Sequence, residues 1–397
     1  MYPQTYVEIN LDNIQNNIQN ILKKYPEYSY YIGIVKANAY GHGMYIINEL
    51  VKNGVNYLAV SSLKEAVAIR KYNQTIPILC LEPVNIFEID TVVKYDITII
   101  IHDLLYFNQL IKIKNFKKIK VHLKIDSGMN RLGLNDKNII KTIVDEINKD
   151  FRIILEGIFS HFATTGIADK NWDQQLNNFI DLTSLIDLKK IPIVHIGRSL
   201  TALIHPKISF CTGIRLGIIM YGYNTTPQYS KTITNHLRLI KQNWLIKKNN
   251  ISKTVTTNNI KLLTALELYT TILQIKQVNK GQYVGYGTTY QAKENIYVAT
   301  IAAGYADGIC RRNSGRNVII NNKLYPIIGE IGMNMLSVKI DETIKITDLV
   351  KLIGTGINIR EVSYYIGNST YETLAMIPKN ITRIYFKDNK KIYTEET

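Results

Sequence analysis

Cysteine is scarce in this chain: Cys80, Cys211 and Cys310 are the only three in 397 residues, an odd number set far apart. That spacing excludes a disulfide framework and a four-cysteine zinc site, and it fits a reducing cytoplasm. No apolar run reaches the ~18 residues that mark a membrane span, and the opening stretch Met1 to Glu8 has no basic segment leading into an apolar core. No membrane partner is expected. Acidic residues are short too, 32 Asp plus Glu against 48 Lys plus Arg, which leaves a net charge of +16. Phenylalanine is outnumbered by tyrosine, 9 to 27. Abundant Ile, Asn and Lys point to an AT-rich coding bias, so the basic excess is a weak argument for nucleic acid. What is present suffices for a core. Hydrophobic residues make up 46% and charged residues 20%, which excludes global disorder. The length suits one domain of ~250 residues and a second of ~150.

The first half alternates strand-like and helix-like segments. Asp12 can cap a helix with Ile14, Ile18, Ile21 and Leu22 on its apolar face. Tyr30 to Val35 reads as a strand, Tyr45 to Lys52 as a helix stopped by Gly54, and Tyr57 to Val60 as a strand leading into the capping box Ser62-Leu63-Lys64-Glu65. Further strands are expected at 76–81, 97–101, 121–125, 153–159 and 193–196. About eight βα units in ~225 residues predict a closed parallel (β/α)8 barrel of the TIM type, with a doubly wound open sheet as the alternative, since periodicity does not report closure. From about Leu262 the texture becomes mainly β, with strands at 271–278 and 297–301 and a hairpin joining 318–320 to 324–328. The expected boundaries are a barrel domain over 1–230, a basic connection over 231–261 and a C-terminal β domain over 262–397. The connection carries seven Lys or Arg and no acidic residue, and reads as a solvated linker or insertion.

Several stretches carry candidate chemistry. Lys36 follows the first barrel strand within Val35-Lys36-Ala37-Asn38-Ala39-Tyr40-Gly41-His42-Gly43. That is the face where barrel enzymes build their sites, and where partial burial can make an amine nucleophilic. A surface lysine before a glycine-rich turn is the plainer reading. Val121 to Gly133 repeats the arrangement, with Lys124 at a strand end and Arg131 beyond it, a guanidinium suited to a carboxylate. His161 lies just past the strand at 153–159, where a hydrogen-bonded core histidine is equally natural, and Arg215 opens Arg215-Leu216-Gly217-Ile218. Ser199 can open a helix whose free N–H groups bind phosphate, or be an ordinary cap. In the β region, Gly304-Tyr305-Ala306-Asp307-Gly308, Gly329 to Asn334 and Asn368 to Glu372 stand out, though any of them can be a turn.

Taken in order, VKANAYGHG, KIDSGMNRLG, SHFATTG, RLGIIMYG, VGYGTTY and GYADG resemble the pyridoxal-phosphate-dependent alanine racemase family over essentially the whole chain. The resemblance implies a (β/α)8 barrel followed by a β domain, in a head-to-tail homodimer whose sites are each completed by the partner. It implies that Lys36 holds pyridoxal 5'-phosphate and serves as one catalytic base, with Tyr305 of the other subunit as the opposite-face base. Arg215 would face the pyridine nitrogen. Tyr40, Ser199, Gly217, Ile218 and Tyr371 would hold the phosphate, and His161, grouped with the cofactor site, would hydrogen-bond Tyr305 and ease its ionisation. Arg131 and the backbone of Met333 would hold the substrate carboxylate. In many bacterial members the lysine matching Lys124 is carbamylated. No metal is implied.

The implied reaction is interconversion of L- and D-alanine, supplying D-alanine for peptidoglycan. Departures bear on specificity: Gly332-Met333-Asn334 stands where the family usually has Cys-Met-Asp, Arg198 replaces a common Asn, and Ile167 to Asp169 lengthens one motif. A serine or broad-range racemase is therefore a rival. Tyr371, where related serine racemases carry a polar replacement, favours alanine. A non-catalytic pyridoxal-phosphate carrier is a rival of a different class, disfavoured by the β domain and Tyr305.

Overall fold

The computed structural model describes residues 4–113, 116–164, 170–197, 207–224 and 260–396. Ser199, Arg198 and nearly all of the basic connection at 231–261 lie outside the described residues. The chain divides into two compact units, one of residues 17–36 and 47–262, the other of residues 1–16, 37–46 and 263–397.

In the first unit, eight parallel strands close a barrel: β2 Tyr30–Ile34, β3 Tyr57–Val60, β4 Ile78–Cys80, β5 Ile97–Ile101, β6 Ile119–Ile125, β7 Ile153–Ser160, β8 Ile193–His195 and β9 Gly213–Leu216, with β9 pairing back onto β2. An open sheet is thereby excluded. Strands such as Ile97–Ile101 are buried along their whole length, as expected where both faces are covered. Helices between them include Leu63–Ile69, Leu104–Lys112, Lys137–Lys149 and Lys170–Leu182. Ser62 accepts from the Glu65 amide as its spelling predicts. Gly54, at φ 105°, ends the helix Ile47–Lys52 and lies against Leu22.

The second unit is built on a nine-stranded sheet in the order β13-β16-β15-β14-β17-β10-β1-β18-β19. These are β1 Thr5–Asn10, β10 Leu266–Val278, β13 Ile296–Ile301, β14 Asn317–Ile320, β15 Lys323–Ile328, β16 Leu336–Ile340, β17 Leu349–Ile353, β18 Thr382–Lys387 and β19 Lys390–Glu395. Strand β10 also pairs with β13, so six of the nine strands form a ring. Short strands β11 Tyr283–Val284 and β12 Tyr290–Gln291 make a separate ribbon. The β14–β15 hairpin turns through Asn321 and Asn322, both at positive φ, the geometry of a two-residue turn that matches strand twist.

The helix Leu11–Lys24 begins two residues earlier than Asp12 as its cap would set it. Asn10 accepts from the Asn13 amide at 2.9 Å and acts as the cap, while the Asp12 carboxylate accepts from the Asp388 amide at 2.8 Å. After Lys36 the chain forms a single left-handed turn: Ala37, Asn38, Ala39 and Tyr40 have φ of 52°, 54°, 52° and 53°. Left-handed backbone costs an L residue about 1–2 kcal/mol. Four in succession, none of them glycine, are sustained only by surroundings that leave no alternative.

Candidate active site

The barrel rim collects its polar groups at the carboxyl ends of strands. Lys36, half-buried, comes one residue after Val35, whose amide bonds to the Ala59 carbonyl at 3.0 Å and extends the β2–β3 ladder. Alternation along β6 sends His122 and Lys124 to one face, and both are buried. Lys124 is in register with Phe159 on β7, and its ammonium lies 4.9 Å from that ring's centre. The Arg215 guanidinium lies 5.6 Å from the same ring, and His195 stacks on it at 4.7 Å with planes 7° apart. One phenyl ring thus underlies both side chains, a contact that favours their charged forms and is strongest away from water.

Arg215 is buried and tightly held. Its Nε donates to the Gly197 carbonyl at 2.7 Å, and its Nη2 to the Ser160 carbonyl at 2.7 Å and again to Gly197. The same Nη2 meets His161 Nδ1 at 3.2 Å. Because arginine only donates, Nδ1 must accept, which places the proton of neutral His161 on Nε2. Burial lowers Arg215 to about 10, so it is still a cation at neutral pH. Burial, then the charge of Arg215, lower Lys124 to about 7; Asp126 opposes that shift and Arg131 adds to it. An amine there is largely neutral near physiological pH and able to act as a nucleophile.

Arg131 is exposed, and its loop is organised by a single carboxylate. Asp126 accepts from the amides of Gly128, Met129, Asn130 and Arg131 at 3.0, 2.9, 3.0 and 3.1 Å. Gly217 and Ile218 follow β9, with Gly217 capping the short helix Ile218–Tyr221.

Inside the barrel runs a polar chain. His122 Nδ1 lies 3.1 Å from His195 Nε2, and His122 Nε2 lies 3.4 Å from Glu156. Glu156 in turn accepts from Tyr57 at 2.6 Å and Thr98 at 3.0 Å. Burial pushes the Glu156 carboxyl up, but His122, Tyr57 and Thr98 outweigh it and leave it below its ordinary value. Burial keeps both histidines neutral at pH 7. A Cβ at Gly157 would come within 2.6 Å of three atoms of the His122 ring, so β7 needs glycine there.

In the β unit, the loop of Tyr305 is seated on that of Met333. The Tyr305 amide donates to the Gly332 carbonyl at 3.1 Å and the Ala306 amide to the Met333 carbonyl at 2.9 Å. A Cβ at Gly304 would collide with both carbonyls, and Asp307 accepts from the Gly304 amide at 2.9 Å. Tyr305 is 42% and Met333 58% exposed, so both side chains stand at the surface of the β unit. In the same unit, Tyr40 and Tyr371 face each other with ring centres 6.1 Å apart. The sequence-predicted residues therefore fall into two groups: Lys36, Lys124, Arg131, His161, Arg215, Gly217 and Ile218 in the barrel unit, and Tyr40, Tyr305, Met333 and Tyr371 in the β unit. Sequence reasoning gave no role to Glu156, Phe159 or Asp126. The two-residue spacing of His122 and Lys124 was the available signal that β6 carries polar groups inward.

A parallel barrel with cationic and titratable groups at the carboxyl ends of its strands is the frame of a barrel enzyme. Residues 9–225 match the family model described as alanine racemase, N-terminal domain, and residues 265–385 the model for alanine racemase, C-terminal domain. The chain is 32% identical to an alanine racemase of Halalkalibacterium halodurans over 404 residues, covering 98% of this chain and 97% of that one. It is also 32% identical over 391 residues to an alanine racemase of Streptococcus equi subsp. zooepidemicus, covering 97% and 99%. Among solved structures, alanine racemase of Bacillus anthracis with bound L-Ala-P matches with a TM-score of 0.86 at 29% identity, covering 100% of this chain and 98% of that one. Alanine racemase of Clostridium difficile matches with 0.86 at 30% identity, covering 100% and 99%. The chain belongs to the alanine racemase family.

Proposed function

We propose that this protein interconverts L- and D-alanine with pyridoxal 5'-phosphate, as a head-to-tail homodimer, and that it supplies D-alanine for peptidoglycan. The observation that carries the reading is the placement of Lys36, Lys124, His161 and Arg215 at the carboxyl ends of β2, β6, β7 and β9, in a chain related over its whole length to alanine racemases. Among the described residues no helix is long and apolar enough to cross a membrane.

The donors fit the cofactor by their chemistry: a half-buried amine for its carbonyl, a buried cation for its pyridine nitrogen, and two facing tyrosines for its phosphate. When bound, the cofactor draws electron density from the α-carbon of an amino acid and so makes its α-proton removable. Lys36 would hold it and move a proton at Nζ on one face of the substrate. Tyr305, contributed by the partner subunit, would move a proton at Oη on the other. Two positioned groups on opposite faces invert the centre without turning the substrate over. The cation of Arg215 disfavours a proton on the pyridine nitrogen, which limits side reactions that need full charge withdrawal. His161, whose Nδ1 accepts from Arg215, would hydrogen-bond Tyr305 and ease its ionisation. Tyr40, Ser199, Gly217, Ile218 and Tyr371 would hold the phosphate; Arg131 and the Met333 backbone would hold the substrate carboxylate. Retention of Tyr371 supports alanine over serine.

The test of the cofactor assignment is borohydride treatment of protein saturated with pyridoxal 5'-phosphate, followed by peptide mass analysis. Label on Lys36 is expected. Label confined to other lysines contradicts the assignment.

A further inference from the structure

The strained turn after Lys36 is contacted by residues from the far end of the sequence. Within the turn, the amides of Gly41, His42 and Gly43 bond to the carbonyls of Ala37, Ala39 and Asn38 at 3.1, 3.1 and 3.0 Å. The fully buried His42 ring lies with Nδ1 3.1 and 3.0 Å from the carbonyls of Ala39 and Tyr40, and burial, lowering its pKa to about 3, keeps it neutral. Further contacts to the turn come from the C-terminal hairpin β18–β19.

Arg383, with no exposed surface, spends its guanidinium on main-chain carbonyls: Nε donates to Gly41 at 2.9 Å, Nη1 to Lys379 and Ile381 at 3.0 and 2.6 Å, and Nη2 to Pro378 at 3.1 Å. The Tyr385 hydroxyl lies 3.0 Å from the His42 carbonyl and 2.6 Å from the Glu395 carboxylate. Tyr45 stacks on Tyr393 at 4.1 Å and tilts against Tyr385 at 4.8 Å. Only glycine fits at 43, since a Cβ there would collide with Tyr385, Glu395 and Arg383 together, and a Cβ at Gly41 would lie 2.6 Å from the Leu374 carbonyl. Glu395 lies beyond the family match, which ends at residue 385.

We propose that the β18–β19 hairpin, through Arg383, Tyr385 and Glu395, is a clamp that holds residues 37–43 in the left-handed turn and so fixes Tyr40 opposite Tyr371 to receive a phosphate dianion. The three are positioning residues. The phosphate part rests on the function proposed above; the clamp does not. Without the clamp the turn relaxes toward ordinary backbone, and Tyr40, at its end, leaves Tyr371.

The experiment uses full-length Tyr385→Phe, which keeps the ring and removes the hydroxyl, and Glu395→Gln, a milder change should the first fold poorly. Amide exchange at residues 41–43 is followed beside the affinities for pyridoxal 5'-phosphate and for pyridoxal, which lacks the phosphate. The clamp predicts exchange about tenfold faster at 41–43, with the barrel strands unchanged. It also predicts about tenfold weaker binding of pyridoxal 5'-phosphate, with pyridoxal unaffected. Unchanged exchange at 41–43 in both variants overturns the clamp. Equal losses for the two ligands overturn its role at the phosphate. If the unaltered protein binds the two ligands alike, the cofactor reading fails, while the exchange rates still decide the clamp.

Discussion

Lys124 shows how burial creates reactivity. Its ordinary value is 10.5, and burial beside Arg215 brings it to about 7. Between those two pH values the unfolded chain binds a proton that the folded one does not, so the unmodified lysine makes folding stability rise with pH across that window and adds no pH dependence below it. Lys124→Met is expected to flatten the stability profile between about pH 7 and 10; a profile of unchanged slope in denaturant unfolding contradicts the assignment. A neutral amine also attacks carbon dioxide, losing a proton as the carbamate forms, and the resulting anion would give the Arg215 and Arg131 cations a counter-charge. Intact mass in bicarbonate is expected to be heavier by one carbon dioxide, with the increment absent in Lys124→Met. Tyr305 is the other residue with a sharp expectation. Tyr305→Phe keeps the ring on its loop and removes the hydroxyl proposed to carry the proton, so the account predicts that turnover falls by about 10²–10⁴ with cofactor affinity retained. Lys36, Arg131 and His161 stood out as candidates because each lies past a strand-like run, whereas Arg215, inside β9, stood out only through the run that it opens. The chain from Tyr57 through Glu156 and His122 to His195 was not, because its members sit on different strands and meet only through the barrel's register.

At the scale of elements, β6 and β7 are fitted to each other by one missing side chain. Gly157→Ala drives a methyl into the His122 ring, and overpacking of this kind costs roughly 1–3 kcal/mol. The variant should unfold at lower denaturant, and His122→Ala in the same chain should recover part of the loss. Purely additive losses in that double-mutant cycle would contradict the contact. Strands and caps were read well where local chemistry decides them, as at Ser62; the 318–328 hairpin was read with Asn321, Asn322 and Lys323 in its turn, but Lys323 pairs with Ile320 and belongs to β15. The start of the first helix was misread: Asp12 carries the right chemistry, but Asn10 occupies the capping position. The left-handed turn at Ala37–Tyr40 had no sequence signal, since none of its four residues is glycine and what holds it lies more than 330 residues away.

At the scale of the whole molecule, the eightfold alternation made a parallel βα architecture legible but not its closure, which the β9–β2 pairing supplies, and the change of texture near Leu262 announced the β region. The ring of six strands was not legible. Strand β10 pairs with β13 and with β17, with register shifts between Ile272 and Gln274 and between Leu268 and Tyr269, and such irregularities are fixed by packing. Nor could local pattern place β1 between β10 and β18, partners from the far end of the chain. A head-to-tail dimer makes a distinctive prediction. Lys36→Ala and Tyr305→Phe, each nearly inactive alone, should regain activity when unfolded together and refolded as a mixture, because one site of each mixed dimer holds both native residues. No recovery, with mixed dimers present, would place Lys36 and Tyr305 of the same subunit in one site.

The central claim is inversion at the α-carbon of alanine. The measurement that meets it most directly is a chiral assay of the protein with pyridoxal 5'-phosphate, run from L-alanine and from D-alanine, with L-serine in parallel. The account predicts that both alanine reactions converge on equal amounts of the two enantiomers, with serine inverted far more slowly. A protein that binds the cofactor at Lys36 yet leaves both enantiomers of alanine unchanged would contradict it.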